Sequence, residues 1–337
     1  MALDVNTYSM KEFQLAAKPE AAIGTKLITA MQLLNLNGDV TIAKEVVQDT
    51  TQRSGVGRTL KAVDVHTTDK GGQRTVITVP VILDTTVDAM LHEGVMWEAV
   101  GASPASHDIV YSYAPVSQKH GDTPARANDT FTLCLISPIT DESRYWVGVV
   151  LESMTVSMET GADGGRRTAS LTFVTAYREL DAAAAPTGMS VYGATFRYLY
   201  DFLLTKTVGA DAIIPNKIEY TINNPVSFSG FQGANGDPEV ISRAVNGGRL
   251  DVSIMVGVKH DSNTAEHWEN HRDGDIFALE FSDKATADWE TATFAIKAIY
   301  CKLDSAPAPG DTEAGAFQDL SFMCLGSNTG DMIQIVP

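Results

Sequence analysis

No stretch of this chain approaches the ~20 consecutive apolar residues that a membrane-spanning helix requires. Nor does it open on a secretory leader: Met1-Ala2-Leu3-Asp4-Val5-Asn6 puts an acid where a leader carries basic residues, and no apolar core follows. Synthesis in a cytoplasm, with no membrane partner, is the expectation. Cysteine is scarce as well. Cys134, Cys301 and Cys324 are the three in 337 residues, and they sit in apolar strand-like runs without C-x-x-C spacing. Neither a disulfide framework nor a zinc cluster is favoured, and the three read as small core hydrophobes. Positive charge is the third shortage, with 25 lysines and arginines against 42 acids and a formal net charge of −17. A chain of that sign does not wrap nucleic acid through its phosphates.

Catalytic patterns are missing too. The glycine clusters at 54–57, 161–165 and 230–236 carry no G-K-[ST] ending and open no helix after a strand, so they read as turns and not as phosphate cradles. No G-x-S-x-G elbow occurs. His267-Trp268-Glu269-Asn270-His271 sets two histidines four apart, on one helix face. In the H-E-x-x-H zinc motif the glutamate directly follows the first histidine, and here Trp268 does. Further ligands would have to come from Asp273 or Asp275. A metal-dependent hydrolase using His267 and His271 is therefore the alternative to a polar, solvent-facing helix, and no catalytic residue, metal or cofactor is expected. Trp97, Trp146, Trp268 and Trp289 are too dispersed for a base-stacking platform and read as core or interface anchors.

What is present is β-branched alternation, and it comes twice. Asp129-Thr130-Phe131-Thr132-Leu133-Cys134-Leu135 opens three strand-like segments, at 130–137, 145–158 and 167–177, which close on Ser170-Leu171-Thr172-Phe173. Asp275-Ile276-Phe277-Ala278-Leu279-Glu280-Phe281 opens a second set, at 275–282, 291–303 and 316–325, which closes on Asp319-Leu320-Ser321-Phe322. Ahead of the first set, Leu60 to Val65 and Val76 to Ile82 flank Lys70-Gly71-Gly72 as a hairpin. A helix then runs from the Asp84 cap through Val100 to Gly101. Ahead of the second, a strand region at 218–231 precedes a hairpin arm at 240–258 around Asn246-Gly247-Gly248, and a short helix spans 264–271. The length suits two domains of about 150 residues. The expected division is an arm at 1–57, a first domain at 58–181, a linker at 182–212 and a second domain at 213–337. Within the linker, 192–204 is compatible with helix or strand. The fold class is mainly β: two tandem β-sandwich or barrel-forming domains, each with one short α-helix and its own core.

Candidate contacts between copies lie in four places. The long segment at 102–128 offers Tyr111 and Tyr113, and the arm offers Phe13 and Leu15, as apolar anchors in polar surroundings that order on assembly. Arg166 and Arg167 beside Gly164-Gly165, and Arg243 and Arg249 around Asn246-Gly247, are basic spots on hairpin tips. They are either solvated turn charges or partners for acidic loops of a neighbouring subunit.

The order of strand pair, helix and long strands ending in S-L-T-F or D-L-S-F resembles the tail tube proteins of long-tailed bacteriophages. Gly315-Ala316-Phe317-Gln318-Asp319-Leu320-Ser321-Phe322-Met323-Cys324 followed by a short terminal strand at 332–336 is similar to their ending. The two-copy form is similar to tube proteins of flagellum-seeking siphophages. The resemblance implies a sandwich-like module whose inner sheet joins its neighbours into a closed barrel. It also implies homotrimeric rings of pseudo-sixfold symmetry, stacked into a hollow virion tail through which DNA passes without specific binding. Tape measure protein and tail terminator are the further partners it implies. One departure is the 102–128 segment, which has no counterpart of that length in the second copy, so the two copies would not play identical parts. An acidic lumen would repel phosphates over roughly 8 Å at physiological salt. A β-sandwich adhesion module is the remaining alternative.

Overall fold

The computed structural model of the chain describes residues 12–21, 24–44, 47–49, 66–68, 74–96, 109–110, 130–161, 163–177, 179–229, 242–244, 251–260, 273–285, 292–305, 310–312, 315–325 and 333–336. Strands dominate because the sequence alternates. In Thr75–Ile82 every second residue from Thr75 to Val81 is buried, and in Ser143–Glu159 Met154, Val156 and Met158 are fully buried while Ser153, Thr155 and Ser157 point away from the core.

The first half contains β1 (Gln14–Pro19), β2 (Gln32–Leu33), β3 (Thr41–Lys44), β4 (Val47–Asp49), β5 (His66–Thr68) and β6 (Thr75–Ile82), then helix α1 (Asp88–Met96). It continues with β7 (Ile109–Val110), β8 (Phe131–Ile136), β9 (Ser143–Glu159), β10 (Thr168–Thr175) and β11 (Leu180–Ala183). The second half contains β12 (Thr205–Val208), β13 (Asp211–Ala212), β14 (Pro215–Asn223), β15 (Ser227–Ser229), β16 (Ser242–Ala244) and β17 (Asp251–Lys259). It ends with β18 (Ile276–Ser282), β19 (Ala295–Ser305), β20 (Gly310–Thr312), β21 (Gly315–Cys324) and β22 (Gln334–Val336).

One antiparallel order occurs twice. In the first half neighbours run β1, β8, β9, β10, β6, β3; in the second they run β12, β18, β19, β21, β17, β14. Irregularities fall at matching places. The register slips between Phe131 and Leu133 against β9, and between Phe277 and Leu279 against β19. It slips again between Thr172 and Phe173 opposite Ser153 and Leu151, and between Ser321 and Phe322 opposite Ser305 and Leu303. A bulge moves every following side chain to a new partner, so two coincident bulges fix one residue-by-residue correspondence between the halves. The aromatic packing agrees: Phe131 meets Phe173 edge-on at 5.9 Å and 76°, and Phe277 meets Phe322 at 5.9 Å and 76°.

The halves share one sheet and one core. The outer part of β9 pairs with β14 from Lys217 opposite Glu159 to Asn223 opposite Ser153. A continuous strip therefore runs β3, β6, β10, β9, β14, β17, β21, and then β19 with β20. Val79, Phe173, Val256 and Phe322 belong to a single buried cluster, so the described residues do not divide into the two separate cores expected from the sequence. Helix α1 begins on an Asp84 side chain that accepts from the Thr86 and Val87 amides, at 2.8 and 3.3 Å, and it buries Val87, Leu91 and Val95. It is shorter at its start than the sequence pattern suggested.

Other expectations change. Residues 1–57 do not stand apart as an arm where they are described. β1 pairs with β8 along its whole length, and β3 and β4 pair with β6 and β5, so strands on the two sides of the boundary drawn at 57 are paired with each other. β6 accordingly faces β3 and β10; Leu60 to Val65 lie outside the described residues. Asn246-Gly247-Gly248 lies outside the described residues; β16 before it pairs with β15, and β17 after it pairs with β14. Residues 182–212 are no open linker either: β11 pairs with β9, β12 pairs with β18, and 192–204 holds a 3-10 turn at Leu199–Asp201. Within 102–128, β7 pairs with β22. The helix expected at 264–271 lies outside the described residues.

Candidate self-assembly interface

The joint between the repeats is built around a buried charge. Arg167, just ahead of β10, is fully buried; its guanidinium donates to Asp88 of α1 and to the Tyr220 hydroxyl on β14, and lies 5.3 Å from the centre of the Phe294 ring. His92, one turn after Asp88 on α1, places Nδ1 2.9 Å from both the carbonyl oxygen and Oδ1 of Asp88, and Nε2 2.8 Å from the Tyr220 hydroxyl. Two residues of the first repeat's helix, one from its strand entry and one from the second repeat's first long strand thus share one hydrogen-bonded network. Burial acts to raise the Asp88 carboxyl, but Arg167 and His92 outweigh it and hold it below its ordinary 3.8. Burial alone would lower the Arg167 guanidinium; Asp88 and Tyr220 reverse that. The Tyr220 hydroxyl is pushed up by burial, against the pull of Arg167.

Backbone and bulge complete the joint. Glu152, the residue between the slipped pairs of β9, accepts from the Val226 amide at 3.2 Å with Oε1, and its carbonyl accepts from the Asn224 amide at 2.8 Å. Its other oxygen takes the Arg74 guanidinium. Asn224 in turn donates to the Val95 carbonyl at 2.9 Å, closing the end of α1. On the opposite face of the strip, hydroxyls dominate: Thr155 and Thr221 meet across the joint at 3.0 Å, flanked by Ser153, Ser157, Ser170 and Thr172. Lys217 and Glu219 lie 3.3 Å apart on that face, and Glu159 stands opposite Lys217.

The two ends of the strip differ from the joint. Among the described residues β3 pairs only with β6, and β20 only with β21. By the correspondence the bulges set, β3 stands where β14 stands, and β19 with β20 stands where β9 stands. Ile42 occupies the place of Tyr220, and it is 37% exposed.

Most residues singled out from the sequence fall elsewhere. Leu15 is not a surface anchor: it lies on β1 opposite Leu135, fully buried in the chain's own core. Arg167 is not a hairpin-tip charge, because it is fully buried and its two terminal nitrogens are taken by Asp88 and Tyr220. Arg166 is half-buried, 5.8 Å from the Phe196 ring, with a bridge from its backbone to Tyr198. Phe13 is half-buried beside β1. Arg243 lies on β16 opposite Phe228. Tyr111, Tyr113, Arg249, His267 and His271 lie outside the described residues. Among the described residues no group of three or more histidines, cysteines, aspartates or glutamates could hold a metal, and no helix is long and apolar enough to cross a membrane. No sequence motif marks Asp88, His92, Tyr220, Glu152 or Asn224. Asp88 and His92 at helical spacing were the one local signal; the rest of the network joins residues about 50 to 130 apart. No protein-family model matches the chain, and no curated protein matches it.

Proposed function

We propose that the chain is a structural subunit that joins copies of itself edge to edge into rings, which stack into a hollow tube, the tail tube of a long-tailed bacteriophage. The carrying observation is the repeated strand order, which leaves one end of the strip matching β14 and the other matching β9. The β9–β14 joint is a pairing the chain makes with itself, and the same pairing between β3 of one copy and β19–β20 of the next would be a head-to-tail contact, which generates closed rings when the rotation closes. Sheet edges left bare invite irregular aggregation, and closure removes them.

Three copies with two repeats each would give pseudo-sixfold rings. The hydroxyl-rich face beside the joint, where Lys217 is outnumbered by Glu159 and Glu219, supports a conduit that DNA can pass without sticking. Virion location, genome passage, tape measure protein and tail terminator as partners, and the absence of catalysis belong to this reading. Electron microscopy of the purified protein, with sedimentation over a wide concentration range, tests it. Three-subunit rings or tubes are expected; a monomer under every condition overturns it.

A further inference from the structure

Cys301 and Cys324 are opposed residues on neighbouring antiparallel strands, β19 and β21, and their sulfurs lie 3.5 Å apart. Opposed residues in an antiparallel pair have Cα atoms about 4.5–5.5 Å apart. That spacing lies inside the ~4.4–6.8 Å a disulfide spans, so closing the bond needs side-chain rotation and no backbone shift. Both thiols are free and fully buried. In the first repeat the matching positions hold Val149 and Thr175, so repeat architecture does not require sulfur here.

We infer that Cys301 and Cys324 are a redox-responsive pair, reduced as synthesised and closed to a disulfide by a low-molecular-weight disulfide such as oxidised glutathione. In the first step one protein thiolate attacks the small disulfide, forming a mixed disulfide and releasing one glutathione thiolate. The second protein thiolate then attacks the bonded protein sulfur and releases the other glutathione. Two protein thiols are oxidised, one small disulfide is reduced to two thiols, and the two protein protons leave with them. Cys324 closes β21, so fraying of that strand end is the entry route. Its hydrogen bond to Cys301 and its burial push the Cys324 thiol well above the ordinary range, which makes closure slow at neutral pH and faster in mild alkali. Closure would pin β19 to β21 at the end of β21 away from β20. Cys134, the third cysteine, is buried on β8 with its thiol pushed up to about 11 by burial, and it serves as the internal control.

The experiment incubates the full-length chain with oxidised glutathione in mild alkali, against a dithiothreitol control. Free thiols are then counted after denaturation, and the linked peptides are read by mass spectrometry. The expected result is one free thiol, at Cys134, a Cys301–Cys324 linked peptide, and an unfolding midpoint a few degrees above that of the reduced chain. Cys301→Val and Cys324→Thr, which copy the first repeat, should each lose both the link and the shift. Three free thiols after prolonged oxidation, a link through Cys134, or glutathione retained on either cysteine would overturn the inference. The readout needs no ring formation, and if neither variant folds the unsubstituted chain still decides.

Discussion

The joint between the repeats and the open ends of the strip share a skeleton and differ in their side chains. At the joint, Arg167, Tyr220 and Glu152 with Arg74 fill places that Ala316, Ile42 and Asp304 with Asp251 fill in the corresponding positions. The difference follows from when each pairing forms. A joint made during folding never separates, so it can hold a fully buried guanidinium, provided every partner is in place. An edge must face water before it meets another copy, and an isolated strong charge aimed at that contact would cost several kcal/mol to desolvate each time. A part-exposed isoleucine on a short strand avoids that cost in the place of Tyr220, while Asp304 and Asp251 are exposed to water.

The joint is most sensitive at Arg167. Arg167→Ala strands Asp88 in the core and is expected to cost about 3–5 kcal/mol in urea unfolding. Arg167→Met with Asp88→Leu should recover much of the loss, since a buried ion pair is replaceable by apolar volume. A similar cost, about 3–5 kcal/mol, is expected for Phe173→Ala and for Phe322→Ala. Because the two phenylalanines pack alike in one core, each variant should unfold in a single transition with similar midpoints. Two separated transitions would show that the halves melt independently.

Tyr220→Phe should cost about 1–3 kcal/mol, since it leaves Arg167 and His92 each without an acceptor or donor they now use. Acid titration sharpens the same point. The Asp88 carboxyl is held below its unfolded value, so its contribution is fully present above about 3.8 and disappears as pH falls through the lower folded value. Stability measured from pH 5 down to pH 2 should fall in the parent and fall less in the Arg167→Met, Asp88→Leu variant. The smallest effect on stability, within about 0.5 kcal/mol, is expected for Ile42→Lys at the open edge. Its effect on self-association, read by sedimentation, should be large.

The strands were legible because alternation is a local signal: 130–137, 145–158 and 167–177 fell within two residues of β8, most of β9 and β10, and the S-L-T-F and D-L-S-F endings proved to be matched in register. Pairing was less legible. Nothing local to β16 or β17 tells that β17 takes β14 and β16 takes β15 as its neighbour; only the long-range register does. The burial of Arg167 is hidden for a related reason. Beside two glycines it reads as a tip, and the carboxylate that draws it inward lies 79 residues away. The single core was hidden too, since β9 and β14 look alike whether they pair with each other or with separate sheets.

Mixed-copy crosslinking tests the edge pairing most directly. On the β9–β14 template, where Lys217 faces Glu159, Asp39 of one copy should face Thr312 of the next. A chain carrying Asp39→Cys is mixed with one carrying Thr312→Cys under mild oxidation, after which each is also oxidised alone. A covalent dimer joining residues 39 and 312 is expected in the mixture, with little or none in either sample alone. Efficient assembly without that bond, or crosslinking of Asp39→Cys to itself, would contradict the edge pairing.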